Sequence, residues 1–409
     1  MAIDKFLRPS GELADIKSSD GSVHKAFIPA ELPVKIEFDN ETLSLLEEAS
    51  RNLGKLDGIG RYLSTLLNIN IRLFIKPYLS GEAVLSSKIE GTRSTLLDVL
   101  NAEMEEDKTA NGKSEDDLFE VLNYVNAQGY GIECMQHSSI SIDLIKDLHG
   151  RLLRHVRGEK ARPGSFREVQ NYISKYQTGH GIEHATYIPP PNGKVLPLLE
   201  NLVDYMEKSG EPPLIKIALM HYQFEAIHPF LDGNGRIGRL LIILYLIKEK
   251  VLEKPLLYMS EYFEANRSVY YSLLLEVSKN SAYSEWIKFF LIGVSAQAKQ
   301  AVYRMESMAE YYEEIGGMIK NRYSKSTFAL FQLLFSNPIV TLPYAAQKLG
   351  LKYPTVKQAA KNLIDVGVLR EMEKNRRPAR FIAEALYRIY TSSHAEAKMF
   401  HSHEEQRKL

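Results

Sequence analysis

The stretch His228-Pro229-Phe230-Leu231-Asp232-Gly233-Asn234-Gly235-Arg236-Ile237-Gly238-Arg239 constrains this chain more than any other. It joins two apolar segments that repeat at helical spacing. Leu214, Ile217, Ala218, His221 and Phe224 precede it, and Leu240, Ile243, Leu244 and Ile247 follow it. Pro229 ends the first helix just past Ile227, since proline lacks the backbone donor and crowds the turn before it. Asp232 to Gly235 is a turn cluster whose two glycines let backbone approach a ligand closely. The second helix then begins near Arg236 with free N–H groups aimed back at the loop. By geometry and dipole, that is an anion site.

The arginines sharpen this expectation. Arg236 and Arg239 are three apart, share one helix face and repel each other. Both also lie in the first turn, where the helix dipole disfavours a cation. Two costs in one place point to an anion that offsets both, and a polyphosphate fits the paired donors of guanidinium. Asp232 beside phosphates then requires a divalent cation, and Mg2+ is held by one or two carboxylates plus phosphate. His228 is the residue suited to proton transfer near neutral pH. Singly, a His-Pro is a helix end and a Gly-Asn-Gly is a turn. Their joint occurrence with the acid and both arginines is what points to chemistry.

The stretch resembles the Fic family signature, His-Pro-Phe-x-(Asp/Glu)-Gly-Asn-Gly-Arg-x-x-Arg, at every fixed position. That resemblance implies a protein adenylyltransferase moving AMP from ATP to a Tyr, Thr or Ser hydroxyl of a target protein, the chain itself included. It implies His228 as general base, Asp232 as Mg2+ ligand, and ATP contact along Gly233, Asn234, Gly235, Arg236, Ile237, Gly238 and Arg239. The two arginines would meet the outer phosphates, and Asn266, in an aromatic-rich downstream stretch, would bond the adenine. Family habit adds a homodimer. Relatives that transfer phosphate or phosphocholine depart from this loop pattern, which favours adenylyl transfer here.

Upstream, Glu82 to Thr92 reads as a helix with Val84, Leu85 and Ile89 inward and Gly91 as its stop. Glu90 is oddly placed, an anion at the negative end of the dipole. The segment resembles the family's inhibitory motif, (Ser/Thr)-x-x-x-Glu-(Gly/Asn), with Ser86, Glu90 and Gly91 in register. This implies that Glu90 pairs with Arg239 within the ATP site and keeps the γ-phosphate from its productive pose.

Composition bounds the rest. The 409 residues carry 51 basic and 51 acidic side chains, so no global field favours nucleic acid or membrane. The single cysteine, Cys134, excludes an internal disulfide and fits a reducing compartment. Without a signal-peptide pattern, and with its longest apolar run only Leu240 to Ile247, the chain is expected to be cytoplasmic and without a membrane partner. The expected fold is mainly α, a Fic-fold helical bundle with a small β-hairpin flap and a C-terminal winged helix-turn-helix domain. Residues 1–120 form the N-terminal helical region carrying Ser86–Gly91, 121–295 the core, 296–323 a connector helix, 324–390 the winged domain and 391–409 a polar tail.

Within that frame, residues 1 to about 40 read as an extended arm, and helical runs start at Glu41 and span Ile59 to Leu79. Residues 104–117 form a polar loop ahead of helical runs at Leu118–Ala127 and Ile142–Val156. Arg167 reads as structural. His184 to Val195 reads as a hairpin turning at Asn192-Gly193, kept to a sheet edge by Pro189, Pro190 and Pro191. Thr186, Tyr187 and Ile188 would form a target-binding flap that pairs with an extended segment.

From Ser326 the pattern reads as helix, helix-turn-helix, then two strands, Val368–Glu371 and Ala379–Ile382. Between Thr341 and Ile382, Lys348, Lys352, Lys357, Lys361, Arg370, Lys374, Arg376, Arg377 and Arg380 face only Asp365, Glu371 and Glu373. Such an excess is a footprint for phosphate-backbone contact, which makes DNA a candidate partner of this segment, with protein docking and a solvated basic face as the alternatives. The alternative function is therefore a DNA-binding transcriptional regulator that uses the loop as a nucleotide sensor. A third reading is removal of AMP at the same site, with Glu90 positioning water.

Overall fold

A computed structural model describes residues 6–18, 21–66, 72–104, 113–154, 156, 162–174, 181–373 and 377–391. Its centre is set by two helices with almost no polar face. α7 (Pro213–Ile227) and α8 (Asn234–Lys248) are apolar nearly all round, and a helix of that kind must be enclosed. The other elements wrap them. In chain order these are β1 (Gly11–Lys17), β2 (Val23–Pro29), α1 (Asn40–Leu66), α2 (Arg72–Ile89), α3 (Leu96–Ala102), α4 (Lys113–Cys134) and α5 (Ile142–Leu152). Then come β3 (Ile173–Ser174), β4 (Ala185–Tyr187) and α6 (Asn192–Lys208) before the central pair. α9 (Ser260–Ala265), α10 (Arg267–Asn280) and α11 (Tyr283–Arg322) follow it.

The chain ends in α12 (Lys325–Ser336), β5 (Ile339–Thr341), α13 (Leu342–Leu349), α14 (Tyr353–Asp365), β6 (Arg370–Glu371), β7 (Arg380–Ile382) and α15 (Glu384–Thr391). Its sheet has the antiparallel order β5-β7-β6. Thr341 caps α13 through the Tyr344 N–H, and Gly350 closes it in the left-handed conformation.

Several expectations are corrected. The N-terminal arm is a hairpin, β1 against β2, whose Phe27 N–H donates to the Ile188 carbonyl. The run expected over Ile59–Leu79 divides between α1 and α2, and α2 continues to Ile89. Helix α4 begins at Lys113, inside the expected polar loop; residues 105–112 of that loop lie outside the described residues, as does the 392–409 tail. Asn192-Gly193 is not a hairpin turn but the first turn of α6. Val195, Leu198, Leu199 and Leu202 bury at helical spacing there, and packing of that face overrides the local turn signal.

The connector at 296–323 is not a separate element. α11 runs unbroken from Tyr283, and a buried stripe of Trp286, Phe290, Val294, Ala298, Ala301, Met305 and Met308 crosses the expected boundary. α1 packs along it. Strand β5 and helix α15 are additions to the expected order; β5 is only three residues long, below what alternation can signal. The C-terminal elements also pack back onto the rest. α12 and α15 both contact α2, and the Asn337 carboxamide donates to the Leu100 carbonyl. Among the described residues no helix is long and apolar enough to cross a membrane.

Candidate active site

α7 ends where proline forbids its continuation, and His228 closes it in the left-handed conformation, φ 49° and ψ 60°. A non-glycine residue is strained there and persists only when its surroundings hold it. Arg167 does so. This buried side chain donates from Nε to the His228 carbonyl at 3.0 Å and from Nη2 to the Pro190 carbonyl, so it serves the end of α7. Burial first, and the Arg167 charge second, push His228 down to about 4. The imidazole is therefore neutral near pH 7. Its Nδ1 faces the Glu225 carbonyl at 3.4 Å, and a carbonyl can only accept. Nε2 thus keeps its lone pair, as a base requires.

The loop closes on itself. The Asn234 carboxamide accepts from the Phe230 N–H and donates to the Phe230 carbonyl, both at 2.8 Å. Asn234 is buried, and its side chain is spent on closing the loop. Ile237 is also buried, and Gly238 lies beneath Glu225 and His221, so neither side of that turn opens to the loop. Gly233 takes φ 79° and begins α8 without any side-chain cap, leaving first-turn N–H groups for something else. Asp232 accepts from the Gly233 N–H at 2.6 Å, and its side chain is half-exposed. Among the described residues no cluster of three or more His, Cys, Asp or Glu forms a metal cage. One half-exposed carboxylate fits Mg2+ that draws its other ligands from phosphate and water.

Of the two arginines, Arg239 has the expected partner and Arg236 an unexpected one. Both are buried, and each has found a protein carboxylate. Arg236 pairs with Glu120 of α4 at 2.9 Å and with Asp232 at 3.4 Å. Glu120, itself buried, thus offsets the charge expected to meet outer phosphates. Nothing local marks Glu120 in the sequence, since it lies 116 positions away.

Arg239 is held by α2. Its Nε donates to Ser86 Oγ at 2.9 Å, and its Nη2 donates to the Ser86 carbonyl at 2.8 Å and to Glu90 Oε1 at 2.7 Å. Burial works against its charge, and Glu90 with neighbouring phenols overcomes that, holding the guanidinium above its ordinary value. Gly91 leaves α2 at φ 104°. The Glu90 carboxylate lies against Gly235, where a Cβ would overlap it, so it rests on the uncapped start of α8. Arg239 Nη1 is buried beside the same glycine with no hydrogen-bond partner among the described residues.

Two other carboxyls line this region. Glu225 is pushed up to about 8 by burial, with Arg239 opposing and Glu90 adding to the shift, and its Oε1 has no partner among the described residues. Glu82, also pushed up to about 8 by burial, accepts from the Ser260 hydroxyl and so ties α2 to α9. Asn266 sits between α9 and α10 and donates to the Tyr262 carbonyl at 2.9 Å.

The flap residues are also rearranged. β4 pairs with β3, Tyr187 is buried and donates to the Ala226 carbonyl at 2.7 Å, and Ile188 is buried against Ala26. Thr186 donates to the Ile173 carbonyl at 3.0 Å. The exposed apolar side chains belong instead to the preceding segment, Val169, Tyr172 and Ile173.

Residues 139–246 match the Fic/DOC family, and residues 43–133 match the Fic/DOC family N-terminal region. "Protein adenylyltransferase Fic" of Drosophila willistoni is 32% identical over 204 residues, 48% of this chain and 38% of that protein. Its counterpart in Drosophila mojavensis is 31% identical over 214 residues, 51% of this chain and 39% of that protein. The match therefore spans about two-fifths of the length of these curated relatives.

Two solved structures share the fold. A Fic family protein from Desulfovibrio desulfuricans G20 covers 85% of this chain and 97% of its own, with TM-score 0.54 and 21% identity. A Fic domain containing signaling protein from Bacteroides thetaiotaomicron covers 63% and 97%, with TM-score 0.50 and 18% identity.

Proposed function

Because this chain belongs to the Fic/DOC family, we propose that it moves AMP from ATP onto a hydroxyl side chain of a target protein. One observation carries the reading. The uncapped start of α8 and the unpartnered Arg239 Nη1 converge at Gly235, under a carboxylate that belongs to another helix. An anion of more than one charge answers both needs, as the outer phosphates of ATP do.

In the reaction, neutral His228 takes the proton of the target hydroxyl at Nε2 while the hydroxyl oxygen attacks the α-phosphorus. The bond from that phosphorus to the bridging oxygen breaks, and diphosphate leaves. The amides at the start of α8 stabilise negative charge as it grows, which is where most of the rate gain arises in such transfers. Asp232 would hold Mg2+, which supplies charge neutralisation on the phosphates. Val169, Tyr172 and Ile173, with the outer edge of β3, are the surface available to an extended target segment.

Glu90 then acts as the site's inhibitor, standing where the outer phosphates would go. His228→Ala should abolish transfer of label from α-labelled ATP to protein, measured in a Glu90→Gly background. Label retained by that double variant would refute His228 as the base.

A second activity has its own support. Lys357 and Lys361 lie on the exposed face of α14 with Ile364 and Tyr353. Arg370 is tied to Glu384 and Arg380 is buried, while Lys348 and Arg377 are exposed and Lys374 and Arg376 lie outside the described residues. This segment, read as a winged helix-turn-helix, contacts DNA through that face. Replacing both lysines by alanine should reduce the salt slope of duplex binding by about 2. A gel shift with no duplex bound at low salt would end the DNA reading.

A further inference from the structure

His149 is buried on α5, outside the signature, and every part of its ring is engaged. The Gly164 N–H donates to Nδ1 at 2.9 Å, so Nδ1 carries no proton. Nε2 then carries it and donates to the Asp232 carbonyl at 3.0 Å. The ring face stacks on Phe230 with centroids 3.7 Å apart and planes 6° from parallel. A Cβ on Gly233 would meet the ring edge, so that glycine is seated on the same imidazole. One side chain thus contacts three of the four residues from Phe230 to Gly233.

We propose that His149 is a positioning residue that sets the height and tilt of the Asp232–Gly235 turn, and hence where Asp232 and the first amides of α8 meet the phosphates. This rests on the nucleotide reading above and adds a residue to it. The two ring nitrogens have different tasks. The Nδ1 bond ties α5 to the Gly164 turn and serves the scaffold. The Nε2 bond reaches the loop and serves the ligand. A phenyl ring would keep only the stacking, whereas the shorter amide of asparagine reproduces Nδ1 and the longer amide of glutamine reproduces Nε2.

The test uses His149→Asn and His149→Gln in the full chain, with hydrogen–deuterium exchange of peptides spanning residues 228–236 as the first readout. Loss of one hydrogen bond to the loop should speed exchange of its amides about tenfold in the asparagine variant, and restoring it should keep the glutamine variant within about threefold of the parent. In the Glu90→Gly background, kcat/KM for ATP should follow the same order, per folded molecule, although both substitutions lower Tm. Equal loop exchange in all three proteins, or a glutamine variant as impaired as the asparagine one, would overturn the proposal. If the asparagine variant fails to fold, a glutamine variant with loosened loop amides overturns it alone. Should the Glu90→Gly parent transfer no label and bind no ATP, the transferase reading fails, while the exchange result still decides the role of His149.

Discussion

Glu90→Gly removes one carboxylate from Arg239 and leaves the rest of its cage standing. Ser86 still accepts from Nε and Nη2, so the guanidinium stays in place, and Nη2 is freed toward the loop. The substitution deletes a charge-assisted hydrogen bond of 2.7 Å between an Arg side chain 1% exposed and a Glu side chain 33% exposed. Such bonds contribute about 1.5–3 kcal/mol, and partial exposure of the glutamate argues for about 2. On the proposed reading, outer phosphates would have to displace that bond before ATP is seated productively. Its removal should therefore raise the initial rate of AMP transfer at subsaturating ATP by about 30-fold. Glu90→Gln keeps a neutral acceptor and should fall between, near fivefold, since neutral hydrogen bonds contribute about half as much. The assay is incorporation of label from α-labelled ATP into protein. Rates equal within about twofold across the three proteins would refute the displacement argument.

Two stability predictions follow from groups buried against their preferred charge, each read as a difference from the parent so that other titrations cancel. The folded state holds Glu82 protonated up to about 8 while the unfolded chain releases that proton near the ordinary carboxylate value, so the parent loses stability as pH rises through that window. Glu82→Gln keeps an acceptor for Ser260 and should gain on the parent by roughly 1.4 kcal/mol per pH unit between about 5 and 8, measured by urea unfolding; a pH-independent difference would contradict the buried neutral carboxyl. His149 has the opposite sign. Burial holds it down to about 4 while the unfolded imidazole takes up a proton near 6.5, so the parent should lose stability to His149→Gln as pH falls between those values, again by roughly 1.4 kcal/mol per unit.

What the sequence made legible was local. The helix pair around the loop, the uncapped turn and the α2 motif all declare themselves within a dozen residues, because proline, glycine and helical period act over that range. The flap failed for the same reason: Asn192-Gly193 is a strong turn signal locally, and only the buried face of α6 decides against it. Glu120 and His149 were invisible because their meaning comes from partners 116 and 83 positions away. Asn234 closes the loop through its side chain, a use that residue type alone does not distinguish from contact with a ligand.

The two arginines pose one electrostatic problem and receive two kinds of answer. Like charges three residues apart in the first two turns of a helix must be neutralised for the fold to form, and carboxylates from α4 and the end of α2 do so. Burial separates their consequences. Glu120 is enclosed, so removing it would strand a buried charge and damage the fold. Glu90 lies one residue past the end of α2, a third of its side chain in solvent, and its departure leaves Arg239 anchored by Ser86. A neutraliser that can leave without unfolding the protein is one that a ligand can replace. α2 is also the helix on which α12 and α15 rest. The C-terminal segment is therefore one helix away from the Glu90–Arg239 ion pair that the proposed function has phosphate displace.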